Sequence, residues 1–398
     1  MTTYRGITWD HPRGKNALLA AASQAAASGG PAIEWEAHSL EHFESHPIDD
    51  LANRYDLIVL DHPHLGEALE KHSLQPMDAV VGAARIERWS RESVGPSFDS
   101  YSADGYQWAL PLDAATQVAV HKPALLGSAP DTWDEVESLS ADTPVALSLA
   151  GPHAFLTFAS ICAALGEPVG SPAAGFVSAA TGARALDLMR AIASRAPVGA
   201  DTQNPIALLE RIASTDDIAY CPLVYGYVTY CSPEVRFADA PRATPGGRRG
   251  STIGGTGLAV SARTAVTPEL VEHISWLLST EAQRGFIPQH QGQPSLRAAW
   301  LDAAVNRDAH DFYRSTLATI DDAWVRPRFA GYIPFQSTAS AIVRDAVLGG
   351  TSPDSALARL RDAYVAAQPA SPSASAASSA SASASASASA SVSVSERV

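Results

Sequence analysis

Two short segments place aromatic, acidic and imidazole side chains at the carboxyl ends of predicted β-strands. The side chains are those of Trp9, Asp10, His11, Asp61, His62 and His64. Flat aromatic faces can pack against the C–H surfaces of a small molecule, while carboxylate and imidazole groups form hydrogen bonds with its polar groups. These residue types predict a binding site for a small polar ligand.

The elements that must position these side chains alternate between strand and helix. Residues 4–9, 32–36 and 55–60 are β-prone runs, and residues 16–27 and 46–54 between them are predicted helices. This order with short links predicts a parallel sheet covered on both faces. Ligands of such sheets bind beyond the carboxyl ends of the strands, where both segments lie.

The rest of the chain predicts a second α/β region. Asp104-Gly105 punctuates a hairpin-like stretch over residues 101–120. Further helices are predicted at 132–138, 153–165, 181–195, 205–214, 267–279 and 281–286, and further strands at 217–222 and 251–261. Residues up to 367 are then mostly helical, so the fold class is α/β with two cores.

Composition excludes several classes of protein. The 398-residue chain has a net charge of -14, whereas binding to a phosphate backbone needs clustered Lys and Arg, so we expect no nucleic-acid partner. No run of 18 or more apolar residues is present, so we expect no insertion into a membrane. The three cysteines are too few and too scattered for a disulfide framework or a structural zinc site.

The two ends of the chain give separate expectations. From Gln368 onward the sequence is almost entirely Pro, Ser, Ala and Val, and this tail is predicted to be disordered because it has little apolar surface to bury. The N-terminal stretch has only a weak likeness to a secretory signal, and its removal would discard the first strand. The sequence as written therefore predicts a cytoplasmic protein.

Two motifs allow a second interpretation. The glycine-rich run from Gly246 to Gly257 could surround a phosphate, but it lacks the P-loop ending, and a tight turn before a hinge strand explains it better. His38-Ser-Leu-Glu-His42, with His46 beyond it, matches the spelling of a reversed zinc-protease motif, but no third ligand is identifiable, which favours solvent-exposed side chains without a metal. We expect neither a metal nor a cofactor.

A set of short motifs, in this order and spacing, resembles a known family. The motifs are Tyr55-Asp-Leu-Ile-Val-Leu-Asp, Asp104-Gly-Tyr-Gln-Trp-Ala-Leu-Pro-Leu-Asp, Pro130-Asp-Thr-Trp-Asp-Glu-Val, Gly254-Gly-Thr-Gly-Leu-Ala-Val-Ser and Ser279-Thr-Glu-Ala-Gln-Arg. Over about residues 4–365 the chain resembles the bacterial extracellular solute-binding proteins of family 1, which include maltose-binding protein and serve ABC importers.

The resemblance implies a two-lobed periplasmic-binding-protein-like (type II) fold with a hinge of crossing strands. The first lobe would comprise residues 1–112 and 258–310, and the second residues 113–257 and 311–367, followed by the tail 368–398. A monomer would bind a small solute, by family default a carbohydrate, between the lobes and deliver it to an ABC permease. The family acts outside the cytoplasm, whereas the location that the sequence as written predicts would suit an intracellular derivative of such a receptor, acting as a sensor or a scavenger.

The resemblance also implies a set of cleft residues. They are Trp9, Asp10, His11, Asp61, His62, Asp113, Tyr225, Tyr227, Gln293, Arg328 and Tyr332. An enzyme on the same fold is the alternative, because thiaminase-type enzymes use a cleft cysteine. Cys221 would then be the nucleophile, with His153 or Asp217 as its acidic or basic partner. A buried, inert thiol is the interpretation we favour, so we expect a binding protein rather than an enzyme.

Overall fold

The computed structural model describes residues 3–170 and 175–369. The strands are β1 (Thr3–Trp9), β2 (Ala32–His38), β3 (Leu57–Leu60), β4 (Ser102–Ala103), β5 (Tyr106–Gln107), β6 (Leu110–His121), β7 (Tyr220–Tyr225), β8 (Arg236–Ala238) and β9 (Ile253–Val260). The helices are α1 (Pro12–Ala27), α2 (Leu40–Ser45), α3 (Ile48–Arg54), α4 (Leu65–Glu70), α5 (Met77–Val81), α6 (Ala83–Glu92), α7 (Trp133–Leu139), α8 (His153–Ala164), α9 (Ala179–Ala193), α10 (Pro205–Ser214), α11 (Pro268–Leu277), α12 (Ile287–Gln289), α13 (Arg297–Trp300), α14 (Ala303–Asp308), α15 (Phe312–Ser315), α16 (Leu317–Asp321), α17 (Tyr332–Val347) and α18 (Pro353–Ala367).

The N-terminal strands form the parallel sheet that the sequence predicts. β1 pairs in parallel with β2 on one side and with β3 on the other. Helix α1 begins at Pro12, four residues earlier than expected, because the His11 side chain accepts a hydrogen bond from the Arg13 amide and Pro12 suits the first helical position. The earlier start places Arg13 within the first turn of α1.

A short helix that the sequence analysis did not predict follows β2. In α2, the Ser39 side chain accepts a hydrogen bond from the His42 amide and so caps the helix. The helix ends at Ser45 because His46 precedes Pro47, and a residue before proline avoids the helical conformation. The helix expected over residues 46–54 therefore begins at Ile48.

Two long strands connect the halves of the molecule. The first part of β6 pairs antiparallel with β9, and β9 pairs antiparallel with β3. The last part of β6 pairs with β7 and β8 instead. The stretch expected to be hairpin-like thus consists of a short hairpin, whose strands β4 and β5 have two residues each, and of one continuous buried strand, β6. These crossing strands confirm the predicted α/β fold with a hinge.

Buried side chains form cores on both sides of the hinge. One cluster packs α8, α9, α17 and α18 around Trp133, Phe155 and Tyr332. A smaller cluster contains Ile58 and Leu60 of β3. A third contains residues of both halves, such as Trp9 and Phe312, so the halves pack against each other beside the crossing strands.

The C-terminal helix α18 ends at Ala367. Of the predicted disordered tail, residues 370–398 lie outside the described residues. None of the described helices combines the length and apolar character that crossing a lipid bilayer requires.

Candidate functional site

A small cavity lies where β1, β3, β7 and the crossing strands meet. Its volume is about 50 Å³. It is lined by Trp9, Arg13, Leu40, Phe43, Glu44, Asp61, Ala115, Tyr225, Tyr227, Gly254, Gly255 and Thr256. Trp9 ends β1 and Asp61 follows β3, so the carboxyl ends of two parallel strands contribute to the site, as expected for this sheet type.

Aromatic rings form one wall of this cavity. The Trp9 ring stacks on His11, with 5.1 Å between ring centroids. Phe43 and Tyr227 each lie 5.9 Å from Trp9 on other sides. These contacts hold the indole ring in one orientation, with its Nε1 buried and without a hydrogen-bond partner among the described residues. A flat, fixed ring of this kind can bind the apolar face of a ligand.

A buried ion pair joins α1 to the first crossing strand. The Arg13 guanidinium donates two hydrogen bonds to the Asp113 carboxylate, of 2.6 and 2.5 Å, and a third of 3.0 Å to the Gly226 carbonyl. Both side chains are nearly inaccessible, with 4% and 6% of their surface exposed. The guanidinium also lies 4.8 Å from the centroid of the Tyr227 ring. This pair fixes the position of Arg13 at the edge of the cavity.

A second buried ion pair joins Arg326 to Asp61, the residue that follows β3. Arg326 Nη2 lies 2.6 Å from the Asp61 carboxylate, and Arg326 also donates to Gln336 and to the Ile253 carbonyl. Although burial opposes ionisation, the Arg326 charge and a hydrogen bond from His62 hold the pKa of Asp61 well below its usual range. Asp61 is therefore a carboxylate at neutral pH.

Glu44 differs from the other charged groups because it has no cationic partner. Burial, and then the nearby Asp61 charge, raise the pKa of the Glu44 carboxyl from its usual 4.5 to about 8, although Arg326 opposes the shift. His153 Nε2 lies 3.6 Å from this carboxyl, but burial lowers the pKa of His153 to about 3, so the imidazole is neutral. No hydrogen bond to the Glu44 carboxyl is found within residues 3–170 and 175–369.

Glycines of β9 allow the crossing strands and a ring to approach closely. Gly255 has φ +98°, and a Cβ there would lie 2.4 Å from the Asp113 carbonyl oxygen. A Cβ on Gly254 would lie 2.5 Å from the Tyr225 ring. The glycine-rich run thus serves the hinge strand, in agreement with the interpretation favoured from the sequence.

Four of the predicted site residues line the cavity. These are Trp9, Asp61, Tyr225 and Tyr227. His11 contacts Trp9, Tyr227 and Tyr230 at the margin, and His62 lies buried with its ring edge-on to Tyr101.

The remaining predicted residues make other contacts. Asp113 and Gln293 lie beneath the hinge, where Gln293 donates to the Ala114 carbonyl. Asp10 is exposed and pairs with Lys15. Arg328 donates to the carbonyls of Asp99 and Ser100, and Tyr332 is buried in the core around α17.

Sequence reasoning missed three charged or aromatic side chains that line the cavity, Arg13, Phe43 and Glu44, and also Arg326, which pairs with the cavity residue Asp61. Phe43 and Glu44 lie on the unpredicted helix α2, within the histidine-containing segment that was judged a solvated face. Arg13 lies on α1 within the stretch expected to be a loop, and Arg326 contacts Asp61 across 265 positions of sequence. The local sequence signal for α2 was Ser39, a residue type that caps the start of a helix.

The metal interpretation receives no support from the geometry. His46 pairs with Asp50, at 2.6 Å, and Asp50 also pairs with Arg54. In the part of the chain that the structure describes, no three His, Cys, Asp or Glu side chains are grouped to hold a metal ion.

Cys221 lies in the core rather than at the cavity. It is fully buried and donates a weak hydrogen bond to the Leu223 carbonyl. Burial raises the pKa of its thiol to about 12, so the nucleophilic thiolate is not formed at neutral pH. The proposed partners are engaged elsewhere, because Asp217 pairs with Arg211 and His153 faces Glu44.

We expect Cys221→Ser to change the affinity for a bound solute by less than about tenfold, or 1.4 kcal/mol. The reason is that the thiol does not reach the cavity. Calorimetric titration of both proteins measures this, with Cys231→Ser as the control for removing a cysteine. Covalent capture of Cys221 by a substrate analogue would contradict the prediction.

A larger groove lies on the outer surface between α1 and α11. Its volume is about 510 Å³, and Pro268, His273 and Trp276 lie in it. None of the charged pairs described above reaches this groove. We place the site in the smaller cavity because aromatic and ionisable groups from several elements converge there.

No protein-family profile and no curated protein sequence matches the chain. Several solved structures do match it. Maltose-bound MalE3 of Thermotoga maritima is 17% identical, with a TM-score of 0.75, and the match covers 91% of this chain and 98% of that one. An ABC transporter solute-binding protein of Agrobacterium radiobacter K84, in complex with ribitol, is 19% identical with a TM-score of 0.75, covering 92% and 98%.

A third structure gives the same result. An ABC transporter solute-binding protein of Thermotoga lettingae, bound to α-D-tagatose, is 14% identical with a TM-score of 0.78, and the match covers 92% of this chain and 100% of that one. At these identities the likeness establishes the fold. The resemblance to solute-binding proteins expected from the sequence motifs is confirmed at that level.

Proposed function

We propose that this protein binds a small polar solute, of the carbohydrate or polyol class, between two lobes joined by the crossing strands. The lobes would comprise residues 1–112 with 258–310 and 113–257 with 311–367. The observation that carries the proposal is the cavity in which Trp9 and Tyr227 meet Asp61 at the hinge. The solutes named with the similar structures, maltose, ribitol and α-D-tagatose, support this class of ligand.

The cavity chemistry suits such a ligand. The rings of Trp9, Phe43, Tyr225 and Tyr227 offer flat surfaces for C–H groups. The Asp61 carboxylate can accept hydrogen bonds from hydroxyl groups, and the protonated Glu44 carboxyl can both donate and accept them.

Binding requires the lobes to separate. A cavity of about 50 Å³ is far smaller than the 300–1,000 Å³ typical of small-molecule sites. The contacts that must break include the Arg326–Asp61 ion pair and the hydrogen bonds from Arg328 to Asp99 and Ser100. A solute that touches both lobes then favours the closed arrangement by its higher affinity for it.

The same fold supports a transport role. We propose that the protein acts as a monomer, without catalysis, and delivers its solute to an ABC permease outside the cytoplasmic membrane. Deletion of its gene should then abolish uptake of the solute identified below. Normal uptake in the deletion strain would argue for a sensing or storage role instead.

We expect Trp9→Ala to weaken solute binding by about 1–3 kcal/mol, because the change removes the central stacking surface. A thermal-shift screen of maltose, ribitol, D-tagatose and D-mannitol first identifies a ligand, and calorimetry then measures the affinities. Trp108→Ala, a half-buried tryptophan beside the β4–β5 hairpin, is the matched control and should bind as the wild type does. Wild-type affinity in Trp9→Ala would show that the solute does not bind in this cavity.

A further inference from the structure

The arginines at the cavity are already neutralised. Arg13 is paired with Asp113, and Arg326 is paired with Asp61, each at 2.6 Å or less and with nearly inaccessible guanidinium groups. Water can solvate the separated groups when the lobes open, but in the closed arrangement an anionic ligand that took either arginine would leave a buried carboxylate without a partner, which is strongly unfavourable. The cavity is therefore poorly suited to a negatively charged solute.

The carboxyl group of Glu44 is the unbalanced charge in the cavity. Glu44 lies on α2 with a quarter of its side chain accessible, and it lines the cavity together with the paired Asp61. The groups that face it from the surrounding elements are Asp61, His64, His153 and Arg326, and the exposed Glu41 lies one turn earlier on α2 itself. The single cation among them, Arg326, is held by Asp61, so an ionised Glu44 gives the cavity a net charge of about -1.

Aromatic rings surround the same space. Trp9, Phe43, Tyr225 and Tyr227 all line the cavity with Glu44. Arg13 already lies 4.8 Å from the Tyr227 centroid and 5.7 Å from the Trp9 centroid, which shows that these rings accommodate a cation. A group of aromatic rings with one carboxylate is the chemistry that recognises an organic ammonium ion.

We infer that the solute bound in this cleft carries a positively charged ammonium nitrogen, which Glu44 neutralises and the aromatic rings surround. This inference rests on the proposed function and specifies the class of solute. It distinguishes the site from one that binds only neutral sugars and polyols, for which an unpaired acidic group is not required.

The inference makes binding depend on pH in a defined direction. Because burial raises the pKa of Glu44 to about 8, the carboxyl is protonated near pH 6 and must release its proton to the solvent before it can neutralise a bound cation. The affinity for a permanently charged ligand should therefore rise from about pH 6 to about pH 8. A neutral polyol requires no such proton release.

The test uses two matched pairs of probes, measured by calorimetry on the full chain. Choline is compared with its neutral isostere 3,3-dimethylbutan-1-ol, and N-methylglucamine is compared with sorbitol. We expect each cation to bind at least about tenfold more tightly than its neutral counterpart near pH 8. Glu44→Gln should abolish this preference, whereas Glu41→Gln, the same change on the exposed face of α2, should retain it.

Any one of the following outcomes would overturn the inference. Equal or tighter binding of the neutral probes, with loss of affinity in Trp9→Ala, would reject the ammonium ligand and leave the proposed solute-binding function intact. Cation binding that is unaffected by Glu44→Gln would place the cation elsewhere. Failure of both cations at millimolar concentration, while a sugar or polyol binds, would also reject it, and failure of every probe would reject the proposed function as well.

Discussion

Asp113→Ala is expected to lower the free energy of unfolding by about 3–5 kcal/mol, because it leaves the buried Arg13 guanidinium without its counter-ion. Arg13 would retain the Gly226 carbonyl and the faces of the Tyr227 and Trp9 rings, none of which carries a negative charge. Burial of a charge without a partner is among the most destabilising single changes in a protein. Equilibrium unfolding in urea measures the effect.

Two further variants test whether the loss of stability comes from the unpaired charge of Arg13. Asp10→Ala removes an exposed carboxylate that pairs with Lys15 one turn away, and it should change stability by less than about 1 kcal/mol. The double variant Arg13→Met with Asp113→Leu removes both charges and should recover most of the lost stability. An effect of Asp113→Ala no larger than that of Asp10→Ala would contradict the buried pair.

Glu44→Gln is expected to leave stability unchanged near pH 4.5 and to increase it near pH 8. The folded state holds the pKa of Glu44 at about 8, above its usual 4.5 in an unfolded chain. Between these values the unfolded chain releases the proton and the folded chain retains it, so the wild type loses stability as pH rises. Each pH unit in this interval is worth about 1.36 kcal/mol. Partial solvent access reduces the total, and we expect a difference of about 3 kcal/mol near pH 8.

The measurement is urea unfolding of both proteins from about pH 4.5 to about pH 8. Glu41→Gln is the control, because it makes the same neutral substitution at an exposed position on α2, and its curve should run parallel to that of the wild type. If the free energy of unfolding changed with pH in the same way for Glu44→Gln and the wild type, Glu44 would ionise normally. That result would also weaken the case for an ammonium ligand.

The strands and the fold class could be predicted because their signals are local. The apolar run before Asp61 and the β-prone run ending at Trp9 indicate strands, and their alternation with helices indicates a parallel sheet. Two cavity residues that the sequence suggested at the strand ends, Trp9 and Asp61, lie there for this reason.

The charge pairing could not be predicted because it joins distant segments. Asp113 was expected to bind ligand, but both of its oxygens are occupied by Arg13, 100 residues earlier. We therefore propose that Asp113 positions Arg13 rather than contacting the solute. Glu44 was missed because a six-residue helix gives only a weak periodic signal.

Small-angle X-ray scattering tests the central claim, that a solute is bound between two lobes that close around it, most directly. The protein is measured alone and then saturated with the tightest-binding member of the solute panel, with Trp9→Ala measured in parallel. The account predicts a smaller radius of gyration for the wild type with solute, and no compaction of Trp9→Ala at the same solute concentration. An unchanged radius of gyration at saturation, together with wild-type affinity in Trp9→Ala, would contradict it.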